Sequence, residues 1–287
     1  MQNLYDVIKD SLYFNKFLIN DLICVEYTCP LENEHVDIFT QYDYIIHVLS
    51  GRKTWKTIHG EWKLEAGETL YVKKGAAIIR QYLEEDFCML GFFLPDDLLR
   101  ESMLGSNKKV ARVKDNDIHQ FTATTLIKDD FLDGFFQSML NYFRSDIQPH
   151  DSIIKLKLKE LLLNLFYTSG NQLLVAYLCY IRENNKPSLT HIMETNFCFN
   201  LKLEDFAKLS HRSLSTFKRD FFNHYNMTPG KWILSKRLAH AGNLLINGIS
   251  SISQIAFDSG FEDVSHFSRA FKTKFNASPR EFRKSSG

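Results

Sequence analysis

The chain has 287 residues, 44 % of them apolar and 24 % charged, with a formal net charge of +1, which is ample apolar content for two cores and makes two domains the default. The near-zero total hides an asymmetry: residues 188–287 carry 14 Lys and Arg against 8 Asp and Glu, a net +6, while residues 1–187 carry 21 against 26, a net −5. A basic module following a mildly acidic one suits a polyanion-binding tail, and the longest apolar runs, near 161–167 and 173–181, are too short to span a bilayer, so no membrane segment is expected.

Five cysteines (Cys24, Cys29, Cys88, Cys179, Cys198) are odd in number and scattered, without a short pair at metal spacing. With no leader peptide expected either, the reading is a reduced chain in the cytoplasm. From residue 22 to 94, short segments rich in Val, Ile, Tyr, Phe and Trp are broken by turn signals at Ser50-Gly51, His59-Gly60, Ala66-Gly67 and Lys74-Gly75. Turns eight to ten residues apart predict an antiparallel sheet that doubles back often, with strands at 44–49, 53–58, 69–73, 76–83 and 87–94. These suffice for a small barrel or jelly roll. The stretch 51–75, ending Glu-Ala-Gly-Glu-Thr-Leu-Tyr-Val-Lys-Lys-Gly, resembles a cupin-like sensor barrel.

Cupin enzymes hold a metal with a His-x-His pair, a Glu and a further His, whereas His35, His47 and His59 here stand alone. No catalytic metal, no other cofactor and no catalytic residue is expected. Tyr44, Trp55, Trp62 and Tyr71 are candidates for lining an apolar ligand pocket, set against the plainer reading that aromatic residues fill a small barrel.

Pro95 ends the last strand, and Asp96-Asp97 can cap a short helix through Met103. After a polar stretch at 106–117, Phe131, Phe135-Phe136, Met139-Leu140 and Phe143 follow helical spacing, as do Ile153-Ile154, Leu158, Leu161-Leu162 and Leu165-Phe166, and a further helix begins at Leu173. Leu161, Leu162, Leu163, Leu165 and Phe166 put apolar side chains on more than one face, which means either burial between neighbours or a self-association surface. The polar, proline-containing run 182–188 is the natural linker, after which Ser188 or Thr190 can cap a helix through Phe197.

The last hundred residues write one structural unit twice. Leu203, Ala207, Ser213, Leu214, Phe217, Arg219, Phe221 and Pro229 reappear as Ile252, Ala256, Asp263, Val264, Phe267, Arg269, Phe271 and Pro279, at an offset of 49 residues before the turn and 50 after it. Each copy reads as a short helix, a tight turn and a second helix, the grammar of helix-turn-helix, at about 201–222 and 250–274. The turn needs a residue that tolerates positive φ; Gly260 supplies it in the second copy and His211 in the first. Ser213 and Asp263 stand as N-caps. Leu214, Phe217 and Phe221, like Val264, Phe267 and Phe271, form an inward stripe, which leaves Ser215, Lys218, Arg219 and Phe222, and Ser265, Ser268, Arg269 and Lys272, on the remaining faces.

Such helices can enter a major groove, so base reading is assigned to Ser215, Lys218, Arg219, Ser265, His266 and Arg269, and phosphate contact to Lys231, Lys236, Lys272, Lys274 and Arg280. Ion pairing within the helix or phosphate contact for the two arginines, and plain solvation for the serines, are the competing readings. Phe222, which replaces the cation of the other copy, is expected to pack on the adjacent helix. The segment 229–247 reads as one long helix between the units, a strut; helices entering successive grooves would need to lie about 34 Å apart.

The run Ile252, Ile255-Ala256, Gly260-Phe261, Ser265, Phe267, Arg269, Phe271-Lys272, Phe275, Pro279 and Phe282-Arg283 resembles the signature of AraC/XylS-type transcription regulators, and Arg237-Leu238, Ala241 and Leu244-Leu245 resemble that family's linker helix. The likeness implies an α+β chain: a cupin-like sensor barrel with a helical dimerisation segment over 1–185, and an all-α tandem helix-turn-helix domain over 188–287. It implies an activator that binds double-stranded DNA, forms a homodimer, meets RNA polymerase, and is controlled by a small-molecule effector or a protein partner. The alternatives are a barrel that only dimerises, and a cupin-type enzyme fused to a DNA-binding tail.

Overall fold

The computed structural model describes residues 1–28, 34–82, 86–104, 113, 115–168, 170–184 and 186–286, and the chain divides into two compact units, Met1–Pro187 and Ser188–Gly287. The first unit holds the strands β1 (Gln2–Asn3), β2 (Asn15–Ile19), β3 (Leu22–Thr28), β4 (His35–Thr40), β5 (Asp43–Ser50), β6 (Arg52–Thr57), β7 (Gly60–Glu65), β8 (Thr69–Val72), β9 (Gly75–Gln81), β10 (Cys88–Leu94) and β11 (Ala123–Thr125). Its helices are α1 (Leu4–Asp10), α2 (Asp96–Ser102), α3 (Asp115–Gln120), α4 (Asp130–Arg144), α5 (Asp151–Thr168) and α6 (Gln172–Glu183).

The class is α+β, but the strands do not close into a barrel. They form two open sheets, one of order β1-β4-β9-β6-β7 and one of order β11-β8-β5-β10-β3-β2, antiparallel except for the β1–β4 pair. The outer strands show why closure stops there: β7 carries Glu61, Lys63 and Glu65, and β2 carries Lys16, charges that blunt an edge against further pairing. Gly51, Gly67 and Gly75 sit at positive φ (72°, 86° and 143°) where the chain reverses. The end of the expected fourth strand, at 83, falls outside the described residues.

The second sheet is buried on both faces, which is why its central strands read as almost unbroken apolar runs. Along β5, Tyr44, Ile46 and Val48 point between the sheets, where they meet Trp55, Leu64, Ile79 and Phe93, while Ile45 joins Leu90, Phe92 and Leu94 on the opposite face. That face is covered by α4, α5 and α6 through residues such as Phe136, Leu161 and Tyr177. Each fully buried side chain of this size contributes roughly 1.5–3 kcal/mol.

One polar cluster crosses this interface. Asp43, at the start of β5, accepts from the Tyr71 hydroxyl at 2.6 Å, the Tyr177 hydroxyl at 3.1 Å and the Lys74 backbone N–H at 2.9 Å. Lys74 Nζ lies 2.6 Å from both oxygens of Asp96, the first residue of α2. Asp96 therefore closes a buried ion pair, and the α2 N-cap is Pro95, which offers no side-chain cap. Burial pushes the Asp43 carboxyl up and the nearby Lys73 ammonium down.

The second unit is all helical: α7 (Leu189–Asn196), α8 (Leu203–Leu209), α9 (Leu214–Tyr225), α10 (Pro229–Asn247), α11 (Ile252–Asp258), α12 (Val264–Phe275) and α13 (Pro279–Ser286). Ser188 caps α7 by accepting from the His191 N–H. Phe206, Phe217, Phe221 and Trp232 are buried in the first half, with Phe217 and Phe221 at 5.9 Å and Phe221 edge-on to Trp232 at 6.0 Å. Leu238, Ala241, Leu245, Ile255, Phe261, Phe267 and Phe271 form the core of the second half. Thus α10 contributes to both.

Candidate nucleic-acid interface

The two helix-turn-helix copies are built by the same local bonds. In the first, the His211 N–H donates to Lys208 O and the Arg212 N–H to Ala207 O, both at 3.0 Å; in the second, the Gly260 N–H donates to Phe257 O at 2.9 Å and the Phe261 N–H to Ala256 O at 3.0 Å. His211 and Gly260 hold the left-handed position, with φ of 52° and 85°. Ser213 then caps α9 by accepting from the Thr216 N–H, and Asp263 caps α12 by accepting from the N–H groups of Ser265 and His266. Those two backbone donors hold the exposed Asp263 carboxyl below its usual range. Both helices run 12 residues and stop at an asparagine in the left-handed conformation, Asn226 and Asn276.

Phe217 and Phe221, and Phe267 and Phe271, are fully buried, so the opposite faces are committed to solvent. Ser215, Lys218 and Arg219 are exposed on α9, and Ser265, His266 and Arg269 on α12. All six expected readers therefore lie on the outside of their helices. Arg219 stands 3.5 Å from Asp220, but that carboxylate also pairs with the more buried Arg212 at 3.1 Å, and the Arg219 side chain is 70 % exposed. Such a loose surface pair contributes little and leaves the guanidinium available. His266 sets its ring against Phe261 at 5.8 Å. Ser268, by contrast, bonds back to Val264 O at 2.8 Å and is half-buried.

The expected phosphate contacts divide. Lys231, Lys272, Lys274 and Arg280 are exposed. Lys236 is instead paired with Glu194 of α7 at 2.5 Å and lies over the Trp232 ring, and the exposed Lys274 also donates to the Ser235 carbonyl at 2.7 Å, with partial desolvation lowering its pKa. Both hold helices to α10, because their neighbours within the unit offer oxygens that their long stems can reach. The Phe222 ring is 53 % exposed, one step beyond Ser215 and Arg219 on the same stripe (i, i+4, i+7).

The four candidate pocket residues of the first unit do not share a cavity. Tyr44 and Trp55 are buried between the sheets and Trp62 packs beside them, whereas Tyr71 lies on the other face of β8 with its hydroxyl on Asp43. Strand alternation separates them. The His47 ring stacks on Phe136 at 3.9 Å, and its Nδ1 is 2.9 Å from Thr69 Oγ1. Among the described residues no group of three or more His, Cys, Asp or Glu could hold a metal, and no helix is long and apolar enough to cross a membrane.

Residues 206–285 match the family model of a helix-turn-helix domain, and residues 43–177 match that of the ExsA N-terminal regulatory domain. The chain belongs to the AraC-type transcription regulators. Thermoregulatory protein LcrF of Yersinia pestis is 27 % identical over 270 residues, covering 92 % of this chain and 96 % of that protein. HTH-type transcriptional regulator ExsA of Pseudomonas aeruginosa is 26 % identical over 241 residues, 82 % of this chain and 84 % of that one. Among solved structures, an apo ToxT variant from Vibrio cholerae covers 92 % of this AraC-type chain at 14 % identity with a TM-score of 0.43. The AraC-type regulator thus joins a DNA-binding helix-turn-helix domain to a regulatory N-terminal domain.

Proposed function

We propose that the protein is a transcription activator in which α9 and α12 read the bases of double-stranded DNA through Ser215, Lys218, Arg219, Ser265, His266 and Arg269, while Lys231, Lys272 and Arg280 meet phosphates. The observation that carries this reading is the duplication itself: two capped 12-residue helices, each with an inward phenylalanine stripe and an exposed hydroxyl and guanidinium on the far side. Arg can pair bidentately with guanine, and lysines outside the reading face add affinity without sequence preference. Residues 1–187 carry the controlling signal, acting by binding and not by catalysis, and the complex works in the cytoplasm, where it meets RNA polymerase.

Tyr44 and Trp55 pack between the two sheets, exposed by 2 % and 1 %, as core aromatics do with or without a ligand, so the controlling signal is a protein partner or a small molecule. DNA selected from a random pool by the full-length protein tests the reading. Arg269→Ala is expected to weaken binding to the selected site by about 1–3 kcal/mol and relax preference at one base pair, and Lys272→Ala to weaken all sequences alike and flatten the salt dependence. An unchanged gel-shift isotherm for Arg269→Ala would remove α12 from the reading face.

A further inference from the structure

The chain between α7 and α8 is gripped from two sides. Arg237, midway along α10, donates from Nε to Phe197 O at 2.7 Å and from Nη2 to Phe199 O at 2.8 Å. The Phe197 ring also meets Trp232 and His240 of α10 edge-on, at 6.4 and 5.8 Å. From the other side comes the turn between α11 and α12. A Cβ added at Gly260 would lie 2.4 Å from the Cys198 carbonyl oxygen and 2.9 Å from Arg237 Nε, so this glycine is required by close approach as well as by its φ of 85°. Asn200 Nδ2 donates to Glu262 Oε1.

Glu262 has no counterpart in the first copy. Between the left-handed residue and the cap, the first turn has only Arg212 whereas the second has Phe261 and Glu262, which is why the repeat offset steps from 49 to 50. The extra residue is the one that reaches across to the first half. Beside this junction a cleft of about 410 Å³ opens, with Arg237, Glu262, Asp263 and His266 among its walls, so the junction extends to the cap and the reading end of α12.

The α10 helix packs Trp232 into the first half and Leu238, Ala241 and Leu245 into the second, so the freedom left to the two halves is the rolling of each on this shared helix. The α10 helix begins at the corner Thr228-Pro229 and ends at Gly248, which is in extended conformation. A lateral brace removes that freedom. Arg suits the task, because its rigid planar fork fixes two carbonyls at a set angle, whereas a lysine offers rotatable donors around a point charge.

We propose that Arg237, with Gly260 and Glu262, is the positioning brace that sets the rotation and spacing of α12 relative to α9, and thereby selects the separation of the two half-sites in DNA. The inference rests on the reading of both helices as base readers. One added base pair moves a half-site by about 3.4 Å and turns it by about 35°. A stiff brace therefore penalises a changed spacer, and a loosened one tolerates it.

The test uses the full chain and the bipartite site that it selects from random DNA, then the same site with its spacer lengthened or shortened by one base pair. The wild-type protein is expected to lose on the order of tenfold in affinity on either change, comparable to one mismatched base pair. Arg237→Ala, Arg237→Lys and Glu262→Ala are expected to bind the parent site more weakly and to flatten that spacing ratio. Loss of stability lowers affinity for all spacings in proportion and leaves the ratio alone, so the ratio reports positioning; where Arg237→Ala fails to fold by circular dichroism, the lysine and Glu262 variants carry the same measurement. A spacing ratio unchanged in every folded variant overturns the brace. A wild-type protein that selects a site for one helix only overturns instead the two-helix reading beneath it.

Discussion

His47 illustrates how a residue's surroundings replace its intrinsic chemistry. Burial holds its imidazole down to about 4, against a flat stack on Phe136 and a bond with Thr69, while Asp133 and Lys128 act on it in opposite directions. Between pH about 6.5 and 4 the unfolded chain takes up a proton that the folded chain refuses, so this contribution is present above the unfolded pKa and disappears as pH falls through that window. The expected size is at most about 3 kcal/mol. Urea unfolding at pH 7.5 and 4.5 should show a smaller loss on acidification for His47→Gln than for the wild type; equal losses would place the titration elsewhere. At the same scale, the fate of each lysine in 188–287 was illegible in the sequence. Lys272 and Lys274 sit two apart on one helix and both are exposed, yet Lys274 comes within reach of α10 and donates to Ser235.

At the scale of elements, the repeat made the second unit readable in advance. Caps, turns and inward stripes are local devices, each written within a dozen residues, so Ser213, Asp263, His211 and Gly260 took the places their chemistry required. Truncating the inward stripe has a definite expected effect: Phe267→Ala should destabilise the second unit by about 3–5 kcal/mol in thermal or urea unfolding. Phe222→Ala, removing an exposed ring from the equivalent region of α9, should change stability by less than about 0.5 kcal/mol. A large loss for Phe222→Ala would mean that the ring is buried after all. The strands were less legible. β5, β6, β8, β9 and β10 follow from β-branched and aromatic runs between turn signals, whereas the short β1 and β11, and β4 with its interleaved charges, owe their pairing to partners distant in sequence, and the charges of β7 obscure a hairpin with the adjacent β6.

At the scale of the whole molecule, α5 has more apolar surface than its own unit uses. Ile154, Leu158, Leu161, Leu162, Leu165 and Phe166 are buried, yet Ile153, Leu156 and Tyr167 are 42 %, 68 % and 53 % exposed, and with Glu160 and the half-buried Leu163 they follow alternating three- and four-residue steps. That is the spacing of a helix seam that pairs with another helix. The homodimer that the family likeness implies would use it, and Leu156→Glu should then shift the protein to monomer in sedimentation analysis while leaving its circular dichroism intact. A wild-type monomer, or a Leu156→Glu dimer, would move the interface elsewhere.

Local sequence alone determined the tandem helix-turn-helix unit, its caps and its outward faces, and the α+β class, because helical period, turn chemistry and duplication are short-range properties of the chain. Tertiary structure decided what depends on distant partners: that the strands open into two sheets and do not close, that Tyr71 turns away from Tyr44 onto a buried carboxylate, that Lys236 meets Glu194 and Lys274 meets Ser235, and that Arg237 clasps the chain forty residues before it. No window along the sequence carries those facts, since each follows from which backbone oxygen or ring another part of the fold brings within about 3–6 Å.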